Sequence, residues 1–394
     1  MRYICLLLAV LLLAGCAGAG AKQEQVPASG ESTLPETEET APETEETTPE
    51  TEEAVRAAAP VHPLRFFLDK LSIEQRVGQL FLARCPGENA VEDAARYYLG
   101  GYILFGGDFE GETPDSIRET LESYRKASGL PMLLAVDEEG GTVCRVSCWS
   151  AFRDARFPSP RELYGSGGME AVIAAEEEKA RLLTDLGIHV NMAPVCDIAM
   201  DPGSFMYSRS LGQEPEITAQ FVRRTVETMK VCRLGSVLKH FPGYGENADT
   251  HTGFARDSRS LEQLEGWDLI PFRAGIEAGC GAVLVEHTIV EAFDPELPAS
   301  LSAEVHRYLR EEMGFRGVIV TDDLQMQAIT DAFGPEEAAV LAVLAGNDLL
   351  CSTDYRVQYE AVLEAVQSGR IPMVTLDAAV LRVLTWKQNL GLLF

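Results

Sequence analysis

Asp322 follows the short apolar run Gly317-Val-Ile-Val-Thr321 and precedes Asp323-Leu-Gln-Met326. A carboxylate at the end of a buried strand can face a pocket, where it is able to attack an anomeric carbon and form a glycosyl-enzyme. The same two residues also read as a helix start with one Asp as the cap. The readings are compatible if Asp322 attacks and Asp323 caps. A second segment, Lys239-His240-Phe241-Pro242-Gly243-Tyr244-Gly245, is followed by Asp249-Thr-His251. Lys239 and His240 can donate to substrate hydroxyls, and Pro-Gly-x-Gly permits a sharp loop. Asp249 stands close enough to His251 to orient the imidazole and favour its charged form, giving an acid that works near neutral pH. Alone, Asp-x-His is ordinary loop surface, and only its neighbours make it chemically interesting.

These residues need elements to position them. Eight short apolar runs are expected as strands: Gly78–Ala83, Tyr102–Phe105, Met132–Asp137, His189–Val195, Ser236–Phe241, Ala282–His287, Gly317–Asp322 and Asp348–Ser352. Their near-continuous hydrophobicity suits strands covered on both faces. Between them lie segments of helical spacing such as Met169–Leu186, Ile217–Leu234 and Ala303–Met313. The alternation predicts an α/β fold, a (β/α)8 TIM-like barrel forming a single catalytic domain over residues 61–394. An open doubly wound sheet is the alternative, and the missing G-x-G-x-x-G after the first strand counts against it. A barrel requires its polar residues to gather where strands end. Asp108, Asp137, Asp197, Lys239, His240, Glu286, His287 and Asp322 all fall at such ends.

Ahead of the barrel the chain changes character. Arg2 precedes an apolar run to Leu13 that is shorter than the roughly 20 residues of a membrane span and closes in Leu13-Ala-Gly-Cys16. Residues 1–16 therefore read as an export signal. The tetrapeptide resembles a bacterial lipobox, which implies lipidation of Cys16 and an extracytoplasmic, membrane-anchored protein. A plain secretory signal cleaved elsewhere is the alternative. Residues 17–60 repeat Pro-Glu-Thr-Glu-Glu from Pro35, Pro42 and Pro49 and lack the apolar surface to offset chain entropy, so a disordered acidic spacer is expected. Of the net charge of −28, this spacer holds 11 Glu against Lys22 and Arg56, leaving about −20 on the barrel. Such acidity argues against nucleic acid and anionic lipid as partners.

The seven cysteines beyond Cys16 are odd in number and sit mostly within apolar segments. They read as small buried hydrophobes, although Cys144 and Cys148 could pair. No CxxC or HExxH pattern calls for a metal, and no cofactor is expected. A monomer is expected.

Taken together, Asp137-Glu-Glu-Gly-Gly141, Ala193-Pro-Val-Cys-Asp197, Ser208-Arg-Ser-Leu-Gly212, Lys239-His-Phe-Pro-Gly-Tyr-Gly245 with Asp249-Thr-His251, and Thr321-Asp-Asp-Leu-Gln-Met326 resemble glycoside hydrolase family 3. The similarity is strongest to its single-barrel β-N-acetylglucosaminidase branch and spans about residues 63–392. The resemblance implies a retaining enzyme with Asp322 as nucleophile and His251, partnered by Asp249, as acid/base. It also implies that Asp137, Arg145, Arg209, Lys239 and His240 bind the terminal sugar. Glucose-active relatives take their acid from a second domain; the resemblance implies that here the barrel loop supplies it. Three positions depart from the family pattern: Tyr244 where a second His is common, Thr142 where Arg is frequent, and Glu286-His287 where Ser-His is usual.

The leading expectation is exo-hydrolysis of β-linked N-acetylglucosamine from peptidoglycan- or chitin-derived oligosaccharides. The alternatives are a phosphorylase, a β-glucosidase or xylosidase, and a lipoprotein that binds glycans without turnover.

Overall fold

The computed structural model describes residues 64–245 and 255–393. The expected signal, Cys16, the 17–60 spacer, and Asp249 with His251 lie outside the described residues.

Eight parallel strands form one sheet: β1 Phe81–Arg84, β2 Gly101–Leu104, β3 Leu133–Val136, β4 Val190–Asn191, β5 Gly235–Phe241, β6 Ala282–Val285, β7 Val318–Thr321 and β8 Leu350–Ser352. Each pairs with the next from β1 to β7, and β8 pairs with β1 in the register Phe81 to Leu350. A parallel bridge between Val320 and Leu349 joins β7 to β8, so the sheet closes into the expected (β/α)8 barrel.

The period of two along each strand explains why almost every strand residue is apolar. Leu82, Leu133, Ala135, Val237, Ala282, Leu284, Val318, Val320 and Cys351 belong to one cluster that fills the barrel. Their neighbours Phe81, Ala83, Leu134, Val136 and Leu350 pack outward against one arc of helices, and Leu238, Val283, Val285 and Ile319 against the other. Ser72, Thr113, Ser159 and Ser260 each cap a helix start in a reciprocal capping box, stopping the chain from running strand into helix without a turn. At the N-terminal end Trp386, on the helix Met373–Asn389, plugs the barrel. It fits because Gly281 carries no side chain: a Cβ there would meet the indole Nε1 at 2.1 Å.

Two strand boundaries differ from expectation by more than two residues. Gly78 ends the helix Ile73–Gly78 rather than opening a strand, because the Ser72/Gln75 box nucleates a helix through it. Strand pairing therefore begins at Phe81. The fourth strand is only Val190–Asn191, since Pro194 has no N–H to donate and regular pairing stops before it. Beyond that point β5 keeps contact through an isolated bridge from Val195 to Lys239.

Candidate active site

The C-terminal strand ends enclose a cavity of ≈ 540 Å³. Asp137 after β3, Arg145 in the loop beyond it, Arg209 after β4, Lys239 and His240 at the end of β5, and Asp322 after β7 all line it. The structure thus brings together six of the eight residues singled out from the barrel sequence. The other two, Asp249 and His251, fall between Gly245 and Ala255 and are not described. Tyr244 lines the cavity, whereas Thr142 is exposed and does not.

The Asp137-Glu-Glu-Gly-Gly141 motif divides its labour residue by residue. Asp137 takes an ion pair from the Lys239 ammonium at 2.6 Å and lies 3.8 Å from Arg145. Glu138 is buried and accepts the amides of Arg145 and Val146, each at 2.8 Å, folding the loop that carries the Arg145 side chain. Glu139 is 2% exposed and receives Arg209 through two bonds, at 2.9 and 2.7 Å, with Lys239 at 2.6 Å. Gly140 has φ of 105°, and a Cβ on it would sit 2.4 Å from the Pro158 carbonyl, so only glycine makes this turn. Burial would raise the Glu139 carboxyl, but Lys239 and Arg209 outweigh it and hold the group well below the usual carboxylate range. Desolvation likewise opposes the Lys239 charge, and Asp137 and Glu139 overcome it, so the ammonium is held above its ordinary value.

Arg209 is placed from behind. Arg161 donates to the carbonyls of Tyr207 and Ala199 and to Ser210 Oγ, stapling the loop on which Arg209 stands. A Cβ at Gly212 would strike that guanidinium at 2.1 Å. The Ser-Arg-Ser-Leu-Gly pattern is therefore a seat for Arg161 as much as a source of Arg209.

Lys239 and His240 are adjacent in a strand yet both reach the cavity. The β5–β6 register shifts between Leu238 and Phe241, which breaks the alternation there. His240 Nδ1 lies 2.8 Å from Asp197, whose carboxylate also accepts the amides of His240 at 3.0 Å and Tyr244 at 2.9 Å. Burial pushes Asp197 upward, but His240 and these amides keep it below the ordinary range. The Tyr244 ring meets Phe205 edge-on at 4.8 Å and His240 at 5.1 Å, forming an aromatic wall.

Asp322 remains tied to the sheet through its amide, which donates to Val285 O at 2.9 Å, and its carboxylate accepts the Asp323 amide at 2.9 Å. Burial raises this carboxyl; His287, His240, the Asp323 amide and Lys239 together more than reverse that and favour the ionised form. Asp323 does not cap the following helix, whose N-cap is Met326. Instead it accepts Gln325 N at 3.0 Å, Thr353 N at 3.1 Å and Thr353 Oγ1 at 2.5 Å, joining the β7 and β8 loops. Beneath them Glu286 is fully buried. One of its oxygens accepts the Thr288 amide and the other, Oε1, has no hydrogen-bond partner among the described residues.

Two supports were not singled out in the sequence, Glu139 and Phe105, the latter stacked under Arg84 at 4.4 Å and Arg145 at 5.0 Å, and Asp197 was marked only as a polar strand end. Glu139 and Asp197 lie inside the quoted motifs, so their positions carried a signal; Phe105 is marked only by ending a strand.

No group of three or more His, Cys, Asp or Glu among the described residues is arranged to hold a metal ion. The seven cysteines from Cys85 to Cys351 are all free, Cys144 and Cys148 included. No helix among the described residues is long and apolar enough to cross a membrane.

Residues 72–386 match the family described as the glycosyl hydrolase family 3 N-terminal domain. A protein named beta-hexosaminidase from Xanthomonas axonopodis pv. citri (strain 306) is 34% identical over 304 residues, covering 74% of this chain and 86% of its own length. Among solved structures, a family 3 beta-N-acetylglucosaminidase from Paenibacillus sp. str. FPU-7 superposes with a TM-score of 0.77 at 32% identity over 82% of this chain. The chain spans 63% of that protein's length. A beta-N-acetylhexosaminidase from Beutenbergia cavernae DSM 12333 aligns with a TM-score of 0.71 at 26% identity, covering 81% of this chain and 99% of that one.

Proposed function

Because the chain belongs to glycosyl hydrolase family 3, we propose that it is a retaining exo-β-N-acetylglucosaminidase with Asp322 as its nucleophile. The observation that carries the reading is the Asp322 carboxylate, held ionised at the end of β7 and lining a sugar-sized cavity with Lys239, Arg209, Arg145 and His240. The names of the relatives, beta-hexosaminidase and beta-N-acetylglucosaminidase, favour an N-acetylhexosamine as the terminal sugar.

In the first step an Asp322 oxygen bonds to the anomeric carbon as the glycosidic C–O bond breaks, and the leaving oxygen takes a proton from His251. In the second, His251 removes a proton from water, the water oxygen bonds to the same carbon, and Asp322 is released. Asp249 orients His251. Tyr244, on the cavity wall, precedes His251 by seven positions, within reach of a chain that spans roughly 3.3 Å per residue. Lys239, Arg209 and Asp137 fix the sugar hydroxyls. The natural substrates are peptidoglycan- or chitin-derived oligosaccharides, reached outside the cytoplasm by a barrel tethered through lipidated Cys16 and the 17–60 spacer.

The test is release of nitrophenol from its β-N-acetylglucosaminide and β-glucoside, with and without phosphate, by the wild type and Asp322→Ala. Phosphate-independent release from the first substrate, abolished in the variant, is expected. Release that requires phosphate makes the protein a phosphorylase. Release that survives in Asp322→Ala removes the proposed nucleophile.

A further inference from the structure

At the opposite, N-terminal end of the barrel a second cavity of ≈ 870 Å³ opens between β5, β6, β7 and the last helix. Four cations line it, Lys230, Arg233, Arg316 and Arg382, and no carboxylate does. This lies in a domain whose net charge is about −20. Arg382 is committed to the buried Asp348 through its Nε at 2.7 Å, and Asp348 also receives Arg310 at 2.5 Å. One carboxylate therefore serves two guanidinium groups. Lys230, Arg233 and Arg316 form no ion pair among the described residues, and all three are exposed. The crowding is felt: after desolvation, and against the pull of Asp348, the positive charges of Arg382 and Arg316 help to hold Arg310 below its usual value.

The cavity floor has the opposite character. Gly235, Gly281 and Gly317 open the base of the strands, and Leu234, Leu390 and the Trp386 ring wall it. The indole Nε1 faces Gly281 and makes no hydrogen bond among the described residues. An apolar floor under a rim of unpaired cations matches an anion carried on an apolar body. Barrel chemistry sits at the other face, so the feature suits binding rather than turnover.

We propose that this cavity is a second ligand site, specific for a small phosphate-bearing molecule whose oxyanion is held by Arg233, Arg316 and Lys230 and whose apolar part lies on Trp386. The site is independent of the glycosidase reading, since none of its residues lines the cavity around Asp322.

Calorimetric titration of the protein with phenyl phosphate, inorganic phosphate and phenol tests it, on the wild type and on Arg233→Gln/Arg316→Gln. Both positions are at the surface, so the double variant should keep its thermal stability and its nitrophenol release. Saturable one-to-one binding of phenyl phosphate is expected, weakened by raised salt and by about tenfold or more in the double variant, the ordinary cost of losing charge-assisted hydrogen bonds. Inorganic phosphate binding as tightly as phenyl phosphate assigns the site to the free anion; tighter phenyl phosphate assigns it to an organic phosphate. The absence of saturable binding by either anion overturns the proposal, as does equal affinity in the double variant or equal binding of phenol.

Discussion

Replacing Glu286 by Gln should stabilise the protein, by an amount that grows with pH. Glu286 follows β6, is fully buried, has one oxygen without a partner among the described residues, and lies within electrostatic reach of Asp197 and Asp322. Burial above all, and then those two carboxylates, push its carboxyl well above the ordinary range. The unfolded chain gives up this proton near pH 4.3, while the folded chain keeps it to a higher pH. Between the two values the folded state binds more protons, so stability falls as pH rises. The slope for one group is about 1.4 kcal/mol per pH unit. Glutamine keeps the shape and the acceptor for Thr288 N but has no proton to lose. Urea denaturation of wild type and Glu286→Gln at pH 5 and pH 7 should therefore show the gap between them widening in favour of the variant, by at most about 1.4 kcal/mol per pH unit. Nitrophenol release should change little wherever Glu286 keeps its proton, because there an uncharged group replaces an uncharged group beside Asp322. A gap that stays constant across this range, or a variant that loses stability at pH 7, refutes the reasoning.

Two further outcomes follow from buried charge and a third from the proposed acid. Glu139→Gln leaves Arg209 without its carboxylate and Lys239 with only Asp137, and breaking such a buried pair costs about 3 to 5 kcal/mol; a Tm drop of only a degree or two would show that the cluster holds substrate positions without holding the fold. Lys387 is fully buried with only Gln79 and the Pro131 carbonyl as partners among the described residues, and desolvation lowers its ammonium to about 7. Above pH 7 the unfolded chain binds the proton that the folded chain has released, so wild-type stability should rise from pH 7.5 to 9 relative to Lys387→Met, and parallel pH profiles would contradict the assignment. His251→Ala should slow hydrolysis of an N-acetylglucosaminyl disaccharide far more than release of nitrophenol, a leaving group that needs little protonation; equal losses count against His251 as the acid.

The barrel was legible because its signal is local. Strands covered on both faces read as short apolar runs, and the polar residues ending them fall together at one rim whatever the loops do. Gly78 shows the limit: hydrophobicity alone does not distinguish the last turn of a capped helix from the first residue of a strand. The site was legible to the depth of its motifs. Asp137 stood out as the acidic residue ending β3, but the part played by Glu139 depends on Arg209 and Lys239, which are 70 and 100 positions away in sequence. Nothing in the spacing of Glu138 and Glu139 says that one folds a loop while the other pins two cations.

The basic cavity was illegible for a different reason. Its cations lie in the last turn of the helix Pro215–Val231 and just after it, before β7, and on the last helix, and no stretch of sequence contains more than two of them close together. Averaged over the chain they vanish into a net charge of −28. That average rightly disfavours an extended polyanion, which would meet the whole acidic surface. It has no such force for a small anion, because charges farther away than a Debye length of about 8 Å at physiological salt are largely screened. What such a ligand meets inside the cavity is Lys230, Arg233 and Arg316, so the overall acidity of the domain sets which anions can bind there by size and leaves binding itself to the local cations.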